Sequence, residues 1–152
     1  YIPVRNDWPM PEEGVVVKTG HGKFGTEVHT ATHRFVADEP ADYGGDDSGP
    51  TPYDLLTAAL GTCTAMTMKM YADRKGWPLD GVTVQVTHEN NHECVHAKAM
   101  EDGTKIQALN RRISIHGDGL DDDQKARILE IADKCPVHRT LEGELHIHTD
   151  PL

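Results

Sequence analysis

The sequence predicts a single α+β domain over residues 1–152, built mostly of antiparallel sheet, and three observations carry that expectation. Short strand-like runs punctuated by glycine fill residues 15–37. One long helical pattern then runs between Pro52 and Gly76. After it come strands, a second helix and a closing strand. Strands grouped on either side of helices, without regular strand–helix alternation, give α+β rather than a parallel α/β sheet. At 152 residues, one domain is the simplest partition.

Residues 1–13 hold three prolines and read as an extended N-terminal arm. A strand opens at Val15-Val16-Val17, and Gly20 and Gly22 mark the turn that ends it. Residues 26–30 and 33–37 give two further short strands. Residues 38–48 carry five acids and two glycines and read as a solvated loop rather than a cation site. Lys18, Lys23 and Arg34 are the cations of these N-terminal strands. They are surface residues in the simplest reading, and each is a local candidate for a thiolate's partner.

The long helix has both ends specified. Thr51 can cap it, Pro52 suits the first helical position, and Asp54 sits where a capping-box acid belongs. Gly76, followed by Pro78, is the stop signal. Leu56, Ala59, Leu60, Cys63, Met66 and Met70 recur at helical spacing and are expected to face a core. Apolar or small residues cover most of the helix circumference, which makes it central. Residues 82–87 alternate strictly and read as a half-buried strand. Residues 105–116 read as another, with Ile113 and Ile115 on one face and Arg112, Ser114 and His116 on the other. Asp121 and Gln124 form a second capping box, and Ile128, Ile131, Ala132 and Cys135 form the core stripe of the helix they start. Pro136 breaks that helix and restarts a short turn through Leu141. Residues 144–149 close the chain as a strand with Leu145 and Ile147 facing in.

Acids outnumber Lys and Arg by 25 to 15, a net charge of −10, which argues against nucleic acid and against an anionic membrane surface. No run of about 20 apolar residues and no signal-like start is present, so the expectation is a soluble, cytoplasmic protein with no membrane partner. Hydrophobic residues make up 37%, so the core is economical or is completed by a partner subunit. Three cysteines are too few for a secreted disulfide scaffold and point to free, catalytic or metal-bound thiols.

Cys63 and Cys135 are the informative pair. A thiol must ionise to act as a nucleophile, and an apolar setting alone opposes that. Read from its helix, Cys63 is either a small core hydrophobe or a working thiol with a cation or donors beside it. Cys135 precedes Pro136, so its sulfur can face the N–H groups of a new helical turn, and His138 and Arg139 follow within one turn. A core cysteine at a helix break is the alternative. His88, His92, Cys94 and His96 fall within nine residues, and His146 and His148 share a strand face. Their spacing matches no closed zinc motif. They read as solvated histidines of a polar hairpin, with Cys94 a bystander and no metal.

Three segments carry a family resemblance. They are the run Gly49-Pro50-Thr51-Pro52-Tyr53-Asp54-Leu55-Leu56 leading to Cys63, residues 71–79 from Tyr71 to Leu79, and residues 131–141 around Cys135-Pro136-Val137-His138-Arg139. They resemble the OsmC/Ohr family of osmotically inducible and organic hydroperoxide resistance proteins, its broad OsmC-like branch most of all. The resemblance implies an intertwined homodimer with sheets wrapped around a central cysteine-bearing helix. It implies a peroxidase of organic hydroperoxides, without metal, haem or flavin, in which Cys63 becomes a sulfenic acid and Cys135 resolves it to a disulfide. A lipoyl or thioredoxin-like dithiol would reset the pair. A non-enzymatic member, binding a small apolar ligand at the dimer interface, is the alternative. The peroxidases carry a glutamate ten positions before the thiol, where this chain has Tyr53 beside Asp54, and an activating arginine in the N-terminal strands. Arg34 is the only arginine between residues 6 and 73, so Arg34 and Asp54 are the candidate supports.

Overall fold

Glycine placement shapes the first strands. In the computed structural model, which describes residues 11–90 and 107–152, β1 (Val16–His21), β2 (Gly25–His29) and β3 (Arg34–Ala37) form an antiparallel meander in that order. Gly22 takes φ +66° in the β1–β2 turn, a conformation that side chains resist. The register runs Val16 opposite His29 and Thr26 opposite Ala37, with an irregularity between Thr19 and His21. The chain divides into two compact units, Tyr1–Leu56 and Thr57–Leu152. In the first, Val28, Val36 and Ala37 are buried together with Glu27 and His29. Burial of such groups requires pairing, and the Glu27 carboxylate meets His21 Nε2 at 2.8 Å and His29 Nε2 at 3.4 Å.

The acidic loop is not simply solvated. Asp38 is buried and organises it, accepting hydrogen bonds from the backbone N–H groups of Glu39 (2.8 Å), Asp46 (3.2 Å) and Ser48 (3.2 Å) and from the Ser48 hydroxyl (2.6 Å). The Ser48 hydroxyl, helped by these N–H groups against the cost of burial, holds the carboxyl below its ordinary pKa. Counting acids in a segment cannot show that one of them turns inward to bind the segment's own backbone.

Both ends of α1 (Pro52–Lys75) follow the sequence closely. The Thr51 N–H donates to Asp54 Oδ2 at 3.0 Å and the Asp54 N–H to Thr51 Oγ1 at 3.1 Å, a reciprocal cap. At the other end Gly76 adopts φ +70°, and the N–H groups of Gly76 and Trp77 return to the carbonyls of Asp73 and Ala72. That is a Schellman closure.

The second unit pairs β4 (Gly81–Glu89) antiparallel with β5 (Ala108–His116), from Gly81 opposite His116 to Glu89 opposite Ala108. Then come α2 (Asp122–Ile131), a 3-10 turn (Ala132–Lys134) and α3 (Pro136–Glu142). The Asp121–Gln124 capping box is formed, as expected. Met68, Ala72, Leu79, Leu120, Ile128 and Ala132 make the core, with Trp77, Val82, Ile113 and Ile115 packed against it. Ile128, Ile131, Ala132 and Cys135 are all buried, which matches the stripe read from the sequence.

Two expectations are corrected. The buried face of α1 is Leu60, Thr64, Met68 and Ala72, one residue per turn, whereas Met66 and Met70 are 64% and 70% exposed in this chain. A helix apolar around most of its girth has no face that periodicity can single out. Residues 144–149 form no strand, and Leu145 and Ile147 are exposed. Alternation makes a strand only when an edge pairs with it, and no edge among the described residues does so. His146 and His148 do share a side, with rings stacked 6.4 Å apart. Most of the N-terminal arm, and His92, Cys94 and His96, lie outside the described residues. His88 sits on β4 and bonds Gln107 Oε1 at 2.7 Å.

Candidate functional site: a thiol pair beside a part-buried arginine

Cys63, far from Cys135 in sequence, is brought near enough for its thiol to act on the ionisation of Cys135, and it lines a groove with Ile131, Lys134 and Pro136 from the segment that carries Cys135. Both are thiols, with no disulfide between them. Cys63 is partly exposed, flanking the buried Leu60–Thr64–Met68 face of α1, with Thr67 Oγ1 at 4.0 Å from its sulfur. Cys135 is fully buried and occupies the N-cap of α3, with Pro136 at the first helical position.

Burial acts to raise the Cys135 pKa, but its neighbours outweigh burial and bring it below the ordinary thiol value. Those neighbours are the Cys63 thiol, the His138 N–H, the Thr64 hydroxyl and the Val137 N–H. No short cap hydrogen bond forms at Cys135, so the α3 N–H groups act on the sulfur mainly as oriented dipoles. Cys135 thus stands at the start of a short helix, as its place before Pro136 led us to expect.

Arg111 is the residue that sequence reasoning missed. Its Nη1 donates to Thr64 Oγ1 at 3.0 Å and to the Ala132 carbonyl at 2.9 Å. Its Nη2 donates to Asp133 Oδ1 at 3.1 Å and to His138 Nδ1 at 2.6 Å. Since a guanidinium only donates, His138 Nδ1 is the bare acceptor and its Nε2–H points to Glu142, 2.7 Å away. The alternation of β5 offered the signal: Arg111 shares the inward face with Ile113 and Ile115, and a charge on an apolar face is unusual. The other sequence candidates lie in the first unit, where Arg34 stands on β3, Lys23 Nζ lies 4.9 Å from the centre of the Phe24 ring, and Asp54 caps α1.

A groove of about 850 Å³ opens over Cys63, lined by Ala59, Met66, Met70, Ile131, Pro136 and Val137 among others. Its rim is cationic, through Arg74 and Lys134, in a chain that is acidic as a whole. Tyr71 stands on the same rim, and a hydrogen bond from Arg127 (3.2 Å) lowers its hydroxyl pKa. Among the described residues no three His, Cys, Asp or Glu side chains are grouped to hold a metal ion, and no helix is long and apolar enough to cross a membrane.

Comparison with known proteins gives the architecture a context. The OsmC-like protein of Mycoplasma pneumoniae is similar, with a TM-score of 0.66 and 17% identity over 88% of this chain and 89% of that one. The organic hydroperoxide resistance protein OsmC of Legionella pneumophila has a TM-score of 0.57 and 18% identity over 88% and 92%. OhrB of Bacillus subtilis, another organic hydroperoxide resistance protein, has a TM-score of 0.56 and 16% identity over 86% and 90%. At such identities the likeness is one of fold. No curated protein matches the sequence. The model of the OsmC-like protein family matches residues 45–150, a span that includes both thiols and Arg111, and the chain belongs to that family.

Proposed function

We propose that the protein is a thiol-dependent peroxidase of organic hydroperoxides, with Cys63 the thiol that meets the peroxide and Cys135 the one that resolves it. The observation that carries this reading is the placement of the two thiols, Cys63 in the wall of a groove and Cys135 buried between residues of the same wall, Lys134 and Pro136. The Cys63 thiolate attacks the terminal peroxide oxygen; the O–O bond breaks, and the alcohol leaves after taking a proton. Cys63 is then a sulfenic acid. Cys135 attacks the Cys63 sulfur, the S–S bond forms, and water departs with the former peroxide oxygen. A lipoyl or thioredoxin-like dithiol returns two electrons and is itself oxidised to a disulfide.

The groove's apolar wall suits the hydrocarbon part of an organic hydroperoxide better than hydrogen peroxide, which has nothing to bury there. Exposed Met66 and Met70 on α1 support a homodimer in which a second copy covers that helix. Within it, the two units act as one OsmC-like domain, and Arg34 and Asp54 are the supports the family pattern favours. The test is turnover of cumene hydroperoxide with a dithiol reductant: Cys63→Ser and Cys135→Ser should each abolish it, and full turnover by Cys63→Ser would end this mechanism.

The groove itself favours a second reading, a non-enzymatic protein that binds a small apolar ligand. Under that reading Cys63→Ser keeps ligand affinity, and the wild-type protein leaves peroxide unconsumed.

A further inference from the structure

Arg111 makes four hydrogen bonds to three separate segments, all of which border the thiol pair. We propose that Arg111 is the positioning residue of the Cys63–Cys135 pair, setting the Thr64 hydroxyl and the turn into α3 against the Cys135 sulfur and supplying the positive field that a thiolate there needs. The inference rests on the reading of this pair as the working site.

Thr64 is the link. Its hydroxyl carries one hydrogen, donated to the Leu60 carbonyl at 2.7 Å, and the same hydroxyl favours the ionised Cys135 sulfur, to which that hydrogen can turn when the thiolate forms. Arg111 occupies a lone pair of the same oxygen, so the hydrogen points away from the guanidinium and is more polarised as a donor. At the second contact, Arg111 holds the Ala132 carbonyl where α2 ends, which fixes the backbone leading to Cys135. Through the third and fourth it grips Asp133 and His138, one on each side of Cys135 in the chain.

The charge balance favours the thiolate. The titratable and charged groups of the second unit around the pair are Arg111 from β5, Asp133 and Lys134 from the 3-10 turn, His138 and Glu142 from α3, and Tyr71 and Arg74 from α1. Arg111 is 13% exposed, whereas its carboxylate partner Asp133 and the His138 partner Glu142 are each 77% exposed. Water screens the two acids far more than it screens the guanidinium. The positive field therefore reaches inward, to the buried sulfur, largely uncancelled.

The test is an ultraviolet thiolate titration of Cys135 in the full-length Cys63→Ser/Cys94→Ser protein, alone and combined with Arg111→Met, Arg111→Lys or Thr64→Val. Arg111→Met should move half-ionisation to more alkaline pH, lowering the thiolate fraction on the order of tenfold at pH values below both midpoints. Arg111→Lys should restore part of the shift, and Thr64→Val should reproduce part of it. A merely structural arginine would lower the Tm and leave the curve in place. Superimposed curves for Arg111→Met and its parent overturn the proposal. If Arg111→Met fails to fold, superimposed curves for both Arg111→Lys and Thr64→Val overturn it equally. No peroxide enters the titration, so inertness of the wild-type protein towards cumene hydroperoxide would end the peroxidase reading while leaving the role of Arg111 intact.

Discussion

Asp38 in the first unit, buried, and Arg111 in the second, part-buried, are charges with four side-chain hydrogen bonds each, yet they organise the chain in opposite ways. Every hydrogen-bond donor to the Asp38 carboxylate lies within ten residues, so it closes a local loop on itself. The partners of Arg111 lie 21 to 47 residues away, so the guanidinium ties β5 to α1, the 3-10 turn and α3 around two thiols. A charge with local partners sets the shape of one segment. One with distant partners sets the relation between segments, and here those segments carry the reactive groups.

If that difference is real, the two sites should fail differently. The largest effect belongs to the thiols that the Arg111 network encloses: Cys63→Ser should lower the rate of cumene hydroperoxide consumption by a factor on the order of a thousand or more, read by stopped-flow peroxide assay. Next, Arg111→Met should slow peroxide-driven disulfide closure about tenfold near neutral pH and lose less as pH rises, since alkali supplies the thiolate that the arginine no longer favours. A deficit independent of pH would place Arg111 beside Asp38, as a group that only shapes the chain.

Asp38→Asn should change stability alone, lowering the Tm while peroxide turnover per folded molecule stays the same. The sign follows from the direction of its pKa. The folded carboxyl ionises at lower pH than the unfolded one, so its contribution is complete above the unfolded value and is lost as pH falls through the folded value. The Tm gap between wild type and Asp38→Asn should therefore shrink below about pH 4. The smallest effect is expected at the α1 cap, where Thr51→Ala should cost about 1 kcal/mol in urea unfolding with no change in thiol chemistry.

The same contrast explains what could be read in advance. The Thr51–Asp54 and Asp121–Gln124 boxes, the Gly76 stop and the Ile128–Cys135 stripe are local patterns, and the structure has each where the residues put it. The two thiols were legible from their sequence contexts and from the family resemblance. What was not legible depends on distant partners. The choice of Thr64 and Met68 over Met66 and Met70 as the buried face of α1 is made by packing. The unpaired segment at 144–149 alternates correctly but has no edge to join. Arg111 stood on the apolar face of β5, yet nothing in its neighbourhood says that Thr64 and His138 will meet it.

The most direct test is mass spectrometry of the reduced protein after one equivalent of cumene hydroperoxide, with proteolytic mapping of the cysteines. The expected result is rapid loss of two hydrogens, mapped to a disulfide between Cys63 and Cys135. No oxidation, or slow scattered oxidation that includes Cys94, would contradict it and leave a groove in search of a ligand.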